Sequence, residues 1–394
     1  MLLEVILLGV AVLLTIPALV FFIEVLAAVF SREKSQSEYQ ASPTVAVLVP
    51  AHNESTGIIE TLLSLHEQLS AQDRLLVVAD NCTDDTAEVA RKHGAEVIER
   101  HDTSRRGKGY ALDFGIQYLA KNPKEILMIV DADCVVDDGA IKKIATHAAQ
   151  HQRPVQALYL MHNKAGAGLK SKVAEFAWCV KNWVRPLGCL KLGAPCQLMG
   201  TGMAFPWQSI KNVDLANGNI VEDMKLGVDF ALSNQAPIFY PQAKVWSFFP
   251  TVTDVQQGQS KRWEHGHMAM ILSEVPSMIF KALQNGNLPL LAMALDLAVP
   301  PLALLVGAIG GFTLLTFVFL TYFSLGECAF YLSLLGFVVL SLAVLLAWWG
   351  WGRKILSTAN MLFVPVYILL KIPNYFSFIF KRQSSWNKTK REHE

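Results

Sequence analysis

The sequence predicts an α/β domain with a mixed, mostly parallel sheet flanked by helices, accompanied by transmembrane and interfacial helices. Three observations predict it. From Val45 to about Val155, short apolar runs alternate with helix-like stretches, the pattern of a sheet covered by helices. One run, Ile126-Leu127-Met128-Ile129-Val130, lacks polar alternation, as expected of a strand buried on both faces, and ends abruptly in Asp131-Ala132-Asp133. Hydrophobic residues, 52% of the 394-residue chain against 17% charged, crowd into residues 2–30 and 288–380 and leave a middle of ordinary soluble character.

Residues 2–30 are apolar for long enough to span a bilayer, interrupted by Glu4, Pro17 and Glu24. A cleaved signal peptide fits less well, because a basic n-region is missing and the apolar run is too long. Arg32 and Lys34 follow, so the positive-inside rule puts the next segment in the cytoplasm. Residues 32–43 read as a polar linker and 44–267 as the soluble domain.

Val45–Val49 is the first strand, closed by Pro50-Ala51-His52-Asn53-Glu54, and Leu75–Ala79 is the second, closed by Asp80-Asn81. Thr83, Asp84 and Asp85 suit a helix start and Gly94 its end, so these acids read as helix-terminus charges. Arg105-Arg106-Gly107-Lys108-Gly109 precedes a helix-like stretch from Tyr110 to Ala120. Glycines admit a ligand to the backbone, cations neutralise phosphate and a helix N-terminus adds donors; a basic surface turn is the competing reading. Ligands of parallel sheets bind beyond the carboxyl ends of the strands, where Asp131 and Asp133 fall. Two hard carboxylates there suit Mg²⁺ or Mn²⁺ holding nucleotide phosphates.

Beyond Val155 the periodicity weakens. Gln197–Met203 is a glycine-flanked turn, read either as a pocket lining or as a tight hairpin turn. Glu222 and Asp223 stand where a helix begins, so capping competes with catalysis there. Gln259–His267 mixes Arg262, Trp263, His265 and His267 just ahead of apolar sequence, and membrane anchoring by Trp and Arg is the plain alternative. Residues 268–301 read as interfacial helices, with 268–284 amphipathic and Pro300-Pro301 a break. Leu302–Phe323 and Phe330–Trp351 read as two further spans, and 352–394 as interfacial helices with a basic cytoplasmic tail; a fourth span within 355–380 is the alternative.

A net charge of +1 gives no reason to expect a nucleic-acid partner. Six cysteines, without a CxxC pair or a zinc-like spacing to His, read as reduced thiols.

In this order the motifs resemble those of membrane-bound family-2 glycosyltransferases, whose members build cellulose, hyaluronan and bacterial exopolysaccharides. The resemblance covers about residues 45–270 and implies the GT-A fold of nucleotide-diphospho-sugar transferases. By it, Pro50, Ala51, Asn53 and Glu54 form the first nucleotide-binding loop, Asp80 lies near base and ribose, and Lys108 contacts the diphosphate. Asp131 and Asp133 match the DxD motif, whose last aspartate holds the metal. Val221-Glu222-Asp223 matches the motif bearing the general base, at Asp223, with Val221 in place of the usual Thr. Gln259, Arg262 and Trp263 match QxxRW, which helps hold the donor diphosphate and the acceptor end.

The resemblance implies inverting transfer from a nucleotide sugar, UDP-linked by expectation, to a glycan or lipid-linked acceptor in polysaccharide biosynthesis. The setting implied is the cytoplasmic face of a bacterial inner membrane, with an oligomer or other biosynthesis and export proteins as further partners. Three spans are fewer than the polymer-secreting synthases possess, which leaves processive export open. A membrane nucleotidyltransferase and a noncatalytic scaffold or transporter subunit are the rival readings.

Overall fold

The computed structural model describes residues 1–31, 42–216, 220–250 and 253–380; the linker at 32–43 and the basic tail beyond 380 fall almost wholly outside them. The chain divides into two compact units. One takes Glu33–His162 and Pro195–Gln256, and carries the sheet; the other takes Met1–Arg32, Asn163–Ala194 and Gln257–Gln383.

The sheet contains β1 (Val45–Ala51), β2 (Arg74–Asp80), β3 (Glu96–Arg100), β4 (Ile126–Ile129), β5 (Val135–Val136), β6 (Val155–His162), β7 (Met203–Pro206) and β8 (Ile238–Phe248). Their order is β3-β2-β1-β4-β7-β6-β8-β5. The first four are mutually parallel, β7 runs antiparallel to both β4 and β6, β8 is parallel to β6, and β5 is antiparallel to β8. The sheet is therefore mixed, with its parallel half where strand and helix signals alternate most clearly.

The physical cause is visible in burial. Residues Val45–Val49 are at most 3% exposed and Ile126–Val130 at most 1%, so neither strand needs a polar face. The helix Lys108–Leu119 covers them with Leu112, Ile116 and Leu119, in one buried cluster with Leu48, Leu76, Val78, Leu127 and Phe205. Each such side chain contributes about 1.5–3 kcal/mol on leaving water. From β1 the chain winds to β2 and β3 on one side, then returns to β4 on the other. That reversal opens a crevice at the carboxyl ends of β1 and β4. β3 and β5 to β8 were not foreseen from sequence; β8, for instance, is only alternately buried and interrupted by Pro241.

Among the described residues of the helical unit, three helices are long and apolar enough to cross a membrane: Leu2–Val29, Leu302–Phe323 and Glu327–Gly352. The last is a helix to Ala347 continued by a π-turn over Trp348–Gly352, and starts three residues before the expected Phe330. The amphipathic stretch expected over 268–284 is broken at Glu274, between helices Thr253–Ser273 and Val275–Asn285. Pro276 explains the break, since proline opens a helix readily and interrupts one it lies within. Leu288–Leu297 and Val364–Phe380 are further helices.

Helices Leu169–Cys179 and Arg185–Lys191, which the expected limits 44–267 placed in the soluble domain, group with the apolar helices. Arg185 supplies the reason: its Nε donates to Glu24 Oε2 at 2.7 Å and its Nη2 to Asp296 Oδ1 at 2.6 Å, all three residues being buried. Glu24, an oddity within an apolar run, thus has a buried cation as partner. Breaking such a pair from one side costs about 3–5 kcal/mol.

Candidate active site

The carboxyl ends of β1 and β2 are tied together by side chains. Asn53, at φ 53°, donates from Nδ2 to Thr83 Oγ1 at 3.0 Å and accepts from Thr83 N at 2.8 Å. Glu54 N donates to Thr86 Oγ1 at 2.8 Å, and Ser55 N to Asp84 Oδ2 at 3.2 Å. His52 Nδ1 donates to Asp80 O at 2.6 Å. Pro50 and Ala51 are the last residues of β1, paired with Val78 and Ala79. Asp84 does act at the start of helix Thr86–Lys92, accepting from Thr86 N at 3.1 Å, whereas Asp85 makes no side-chain cap.

Asp80 ends β2 and is buried. Its Oδ1 accepts from Arg100 Nη1 at 2.6 Å and from Asn81 Nδ2 at 3.0 Å. Arg100, at the end of the unforeseen strand β3, is therefore a rim residue that sequence reading passed over. The loop after it is held by Asp102, which takes Ser104 N at 3.0 Å and Arg105 Nε at 3.0 Å. This leads into the basic turn.

Gly107, at φ +135°, opens helix Lys108–Leu119 one residue before Lys108. A Cβ on Gly109 would stand 2.3 Å from Leu215 O and 3.9 Å from Glu222 Cβ, so only glycine lets the segment before Glu222 lie against this helix start. Helix Glu222–Leu232 is seated by Leu226 and Phe230, whose ring stacks on Phe205 at 5.6 Å. Val221 occupies its N-cap position without a side-chain cap, and Glu222 and Asp223 fall in its first turn. Asp223 Oδ1 accepts from Met224 N at 2.9 Å.

These segments meet around Gly200. It adopts φ +91°, and a Cβ there would lie 3.3 Å from Asp223 Oδ2, 3.5 Å from Lys108 Nζ and 4.0 Å from Asp131 Oδ2. Lys108 Nζ contacts the Asp131 carboxylate and donates to Gly200 O at 2.8 Å. Burial opposes the Lys108 cation, but Asp131, Glu222 and Asp223 around it hold its pKa above the ordinary lysine value.

The 197–203 stretch is not a hairpin; it is a loop that leads into β7. Buried Gln156 fastens it, accepting from Met199 N at 2.8 Å and donating to Thr201 O at 2.9 Å. Thr201 Oγ1 in turn accepts from Asp131 N at 3.0 Å. Thr201 lies in the glycine-flanked stretch that the sequence marked, whereas Gln156 carried no signal beyond being a polar residue in apolar surroundings.

Asp131, Asp133 and Cys134 bring one ligand atom each to within 4.8 Å of one another. Crowding by protein atoms and the adjacent Asp131 charge push the Asp133 carboxyl upward, although its surface reaches solvent. Cys134 is buried, and its thiol donates to Asp133 Oδ1 at 3.6 Å. Two hard oxygens remain as ligands, a set that fits Mg²⁺ or Mn²⁺ better than a thiophilic ion.

A family model described as "Glycosyltransferase like family 2" matches residues 43–266, more than half of the chain. The chain belongs to the family-2 glycosyltransferases. Membership speaks against the nucleotidyltransferase reading. This family-2 glycosyltransferase is 25% identical over 263 residues to a poly-β-1,6-N-acetyl-D-glucosamine synthase of Staphylococcus epidermidis, covering 62% of this chain and 59% of that protein. It is 24% identical over 241 residues to the probable glycosyltransferase YdaM of Bacillus subtilis, covering 58% and 56%. The chain thus spans a little over half the length of these curated relatives. The mannosyltransferase PcManGT of Pyrobaculum calidifontis, solved with GDP-Man and Mn²⁺, shares the fold with a TM-score of 0.55 at 15% identity, covering 96% of this chain and all of that one. The fold is GT-A-like.

The QxxRW residues lie in the helical unit. Gln259, Arg262 and Trp263 share helix Thr253–Ser273, where Trp263 packs against Trp178 with ring centroids 4.9 Å apart and planes tilted by 46°. Arg262 Nε is buried and makes no hydrogen bond among the described residues. His265 and His267, further along, meet main-chain oxygens instead: Asn374 O at 3.2 Å and Leu297 O at 3.0 Å.

Proposed function

We propose that the enzyme transfers a sugar, with inversion, from a nucleotide-diphosphate sugar, UDP-linked by preference, to a hydroxyl of a glycan or lipid-linked acceptor. The observation that carries this reading is the meeting of Lys108, Asp131 and Asp223 around Gly200, one cation and two carboxylates from three separate segments. The acceptor oxygen attacks the anomeric carbon from the face opposite the diphosphate; the new C–O bond forms as the bond to the diphosphate breaks. Asp223 takes the acceptor proton, with Glu222 beside it, and must reach that hydroxyl within about 2.6–3.2 Å. Mg²⁺ or Mn²⁺ held by Asp131 and Asp133 would offset the charge developing on the leaving diphosphate. Lys108 adds a fixed cation to the same task. Pro50, Ala51, Asn53, Glu54 and Asp80 form the rim for the nucleoside. Arg262, with a planar fork whose Nε is uncommitted, takes the diphosphate, Gln259 supports it, and Trp263 offers a face to the acceptor sugar.

The name of the staphylococcal relative supports polysaccharide biosynthesis as the setting. Arg353-Lys354 after the last span support a cytoplasmic catalytic unit, which a reporter inserted at Gly326 tests by reading as external. The decisive experiment incubates membranes containing the protein with a panel of radiolabelled nucleotide sugars. Release of nucleoside diphosphate with label in a glycan or lipid product is expected. Release of pyrophosphate, or no turnover of any donor, would overturn the reading.

A further inference from the structure

Helix Thr253–Ser273 is held on one side by a dense polar cluster. Lys371 Nζ, from helix Val364–Phe380, donates to Glu264 Oε1 and to Ser260 Oγ, both at 2.7 Å. Asn374 Nδ2 donates to Glu264 Oε2 at 2.6 Å, so both carboxylate oxygens are engaged from the same partner helix. His265 Nε2 meets Asn374 O at 3.2 Å, and its ring packs edge-on against Phe378 at 5.3 Å. The Glu264 and Lys371 side chains are 16% and 18% exposed. Burial disfavours the Lys371 cation, yet Glu264 and Tyr367 beside it hold its pKa above the usual lysine value.

Rotation of a helix about its axis is fixed only by contacts on more than one side. Successive residues are turned by about 100°, so Ser260 and Glu264 lie about 40° apart on one face, with His265 about 100° beyond Glu264. Trp263, packed at a tilt against Trp178, lies about 80° from the middle of the Ser260–Glu264 face, and Arg262 lies opposite that face. We propose that Glu264 and Lys371 are positioning residues which, together with the tilted Trp178–Trp263 contact, fix the rotation of the helix that carries Arg262 and so act through it. The helix Val364–Phe380 is thereby part of the catalytic apparatus, acting through Arg262. This rests on the diphosphate role given to Arg262 above.

The test uses the full-length protein in membranes and measures kcat/KM for the nucleotide sugar. Lys371→Met is expected to lower it at least 10-fold in the wild-type background and less than twofold when Arg262→Lys is already present, because the group being positioned is then gone. Glu264→Lys should fail alone and recover to within about threefold when combined with Lys371→Glu. Melting of the purified variants gives the second readout. A loss that is the same in both Arg262 backgrounds, with lowered melting and no recovery by the charge exchange, marks a packing defect and overturns the proposal. So does a normal kcat/KM in Lys371→Met. If instead Arg262→Lys is itself silent, the diphosphate role of Arg262 falls, and the positioning role with it.

Discussion

The Cα of Gly200 faces Asp223 so closely that a methyl group there would stand 3.3 Å from Asp223 Oδ2 and 3.5 Å from Lys108 Nζ. Gly200→Ala therefore tests the shape of the site without removing any functional group. The φ of +91° disfavours a side chain by about 1–2 kcal/mol, and the methyl group makes the Asp223 carboxylate give way slightly while only touching the Lys108 ammonium. Turnover is expected to fall at least 10-fold while the melting temperature drops by only a few degrees, as suits a loss of that size. Normal kinetics in Gly200→Ala would show that the groups around it need not stay so close.

Metal dependence is a second consequence. Excess chelator should abolish transfer, and added Mg²⁺ or Mn²⁺ should restore it. Asp133→Ala should remove the restoration and leave melting in the absence of metal nearly unchanged, since its carboxyl reaches solvent. Undiminished turnover in chelator would strip Asp131 and Asp133 of the role.

Local chemistry was readable in the sequence where it coincided with local structure. The run ending in Asp131-Ala132-Asp133 announced a buried strand because five consecutive apolar residues have no other economical place. Glu222 and Asp223 announced a helix start, and the helix is there. What stayed hidden depends on distant parts of the chain. Arg100, at the end of β3, pairs with Asp80 at the end of β2, and the short run Glu96–Arg100 shows no alternation. Gln156 reaches Met199 and Thr201 only because β6 and β7 are neighbours. Glu24 looked like a flaw in an apolar span, and Arg185, 161 positions away, is what completes it. No local pattern encodes such pairings.

Acid sensitivity of the sheet unit follows from His147. It is buried on helix Ala140–His151 and stacked on Tyr240 at 4.3 Å. Burial first, and then the neighbouring His151, push its pKa from 6.5 down to about 4. The folded protein thus binds this proton less readily than the unfolded chain. Its contribution to stability is complete above about pH 6.5 and is lost as pH falls toward 4, on the order of 2–3 kcal/mol in all. Melting between pH 7 and pH 4.5 should show this decline, and His147→Phe, which keeps a stacking ring, should flatten it. An equal slope in both proteins would assign the sensitivity elsewhere.

The division between catalysis and capping at Asp223 can be decided by one atom. Asp223 lies in the first turn of its helix and not at the cap position, which Val221 holds without a side-chain bond. Its interaction with the helix is therefore chiefly that of an anion with the dipole, about 0.3–1 kcal/mol, together with the bond from Met224 N. Asp223→Asn keeps the shape and can keep that bond through its carbonyl oxygen, while losing the capacity to take a proton. If Asp223 is the base, turnover should fall by roughly 10²-fold or more with little change in donor KM, because binding groups such as Lys108 and Arg262 are untouched. If it serves only the helix, stability should drop by less than about 1 kcal/mol and turnover should stay near normal. Asp223→Glu separates the two accounts further: it restores the charge to the helix end but carries the carboxylate about one methylene beyond its place beside Gly200. Recovery of stability without recovery of turnover would place the requirement in the position of the proton acceptor beside Gly200.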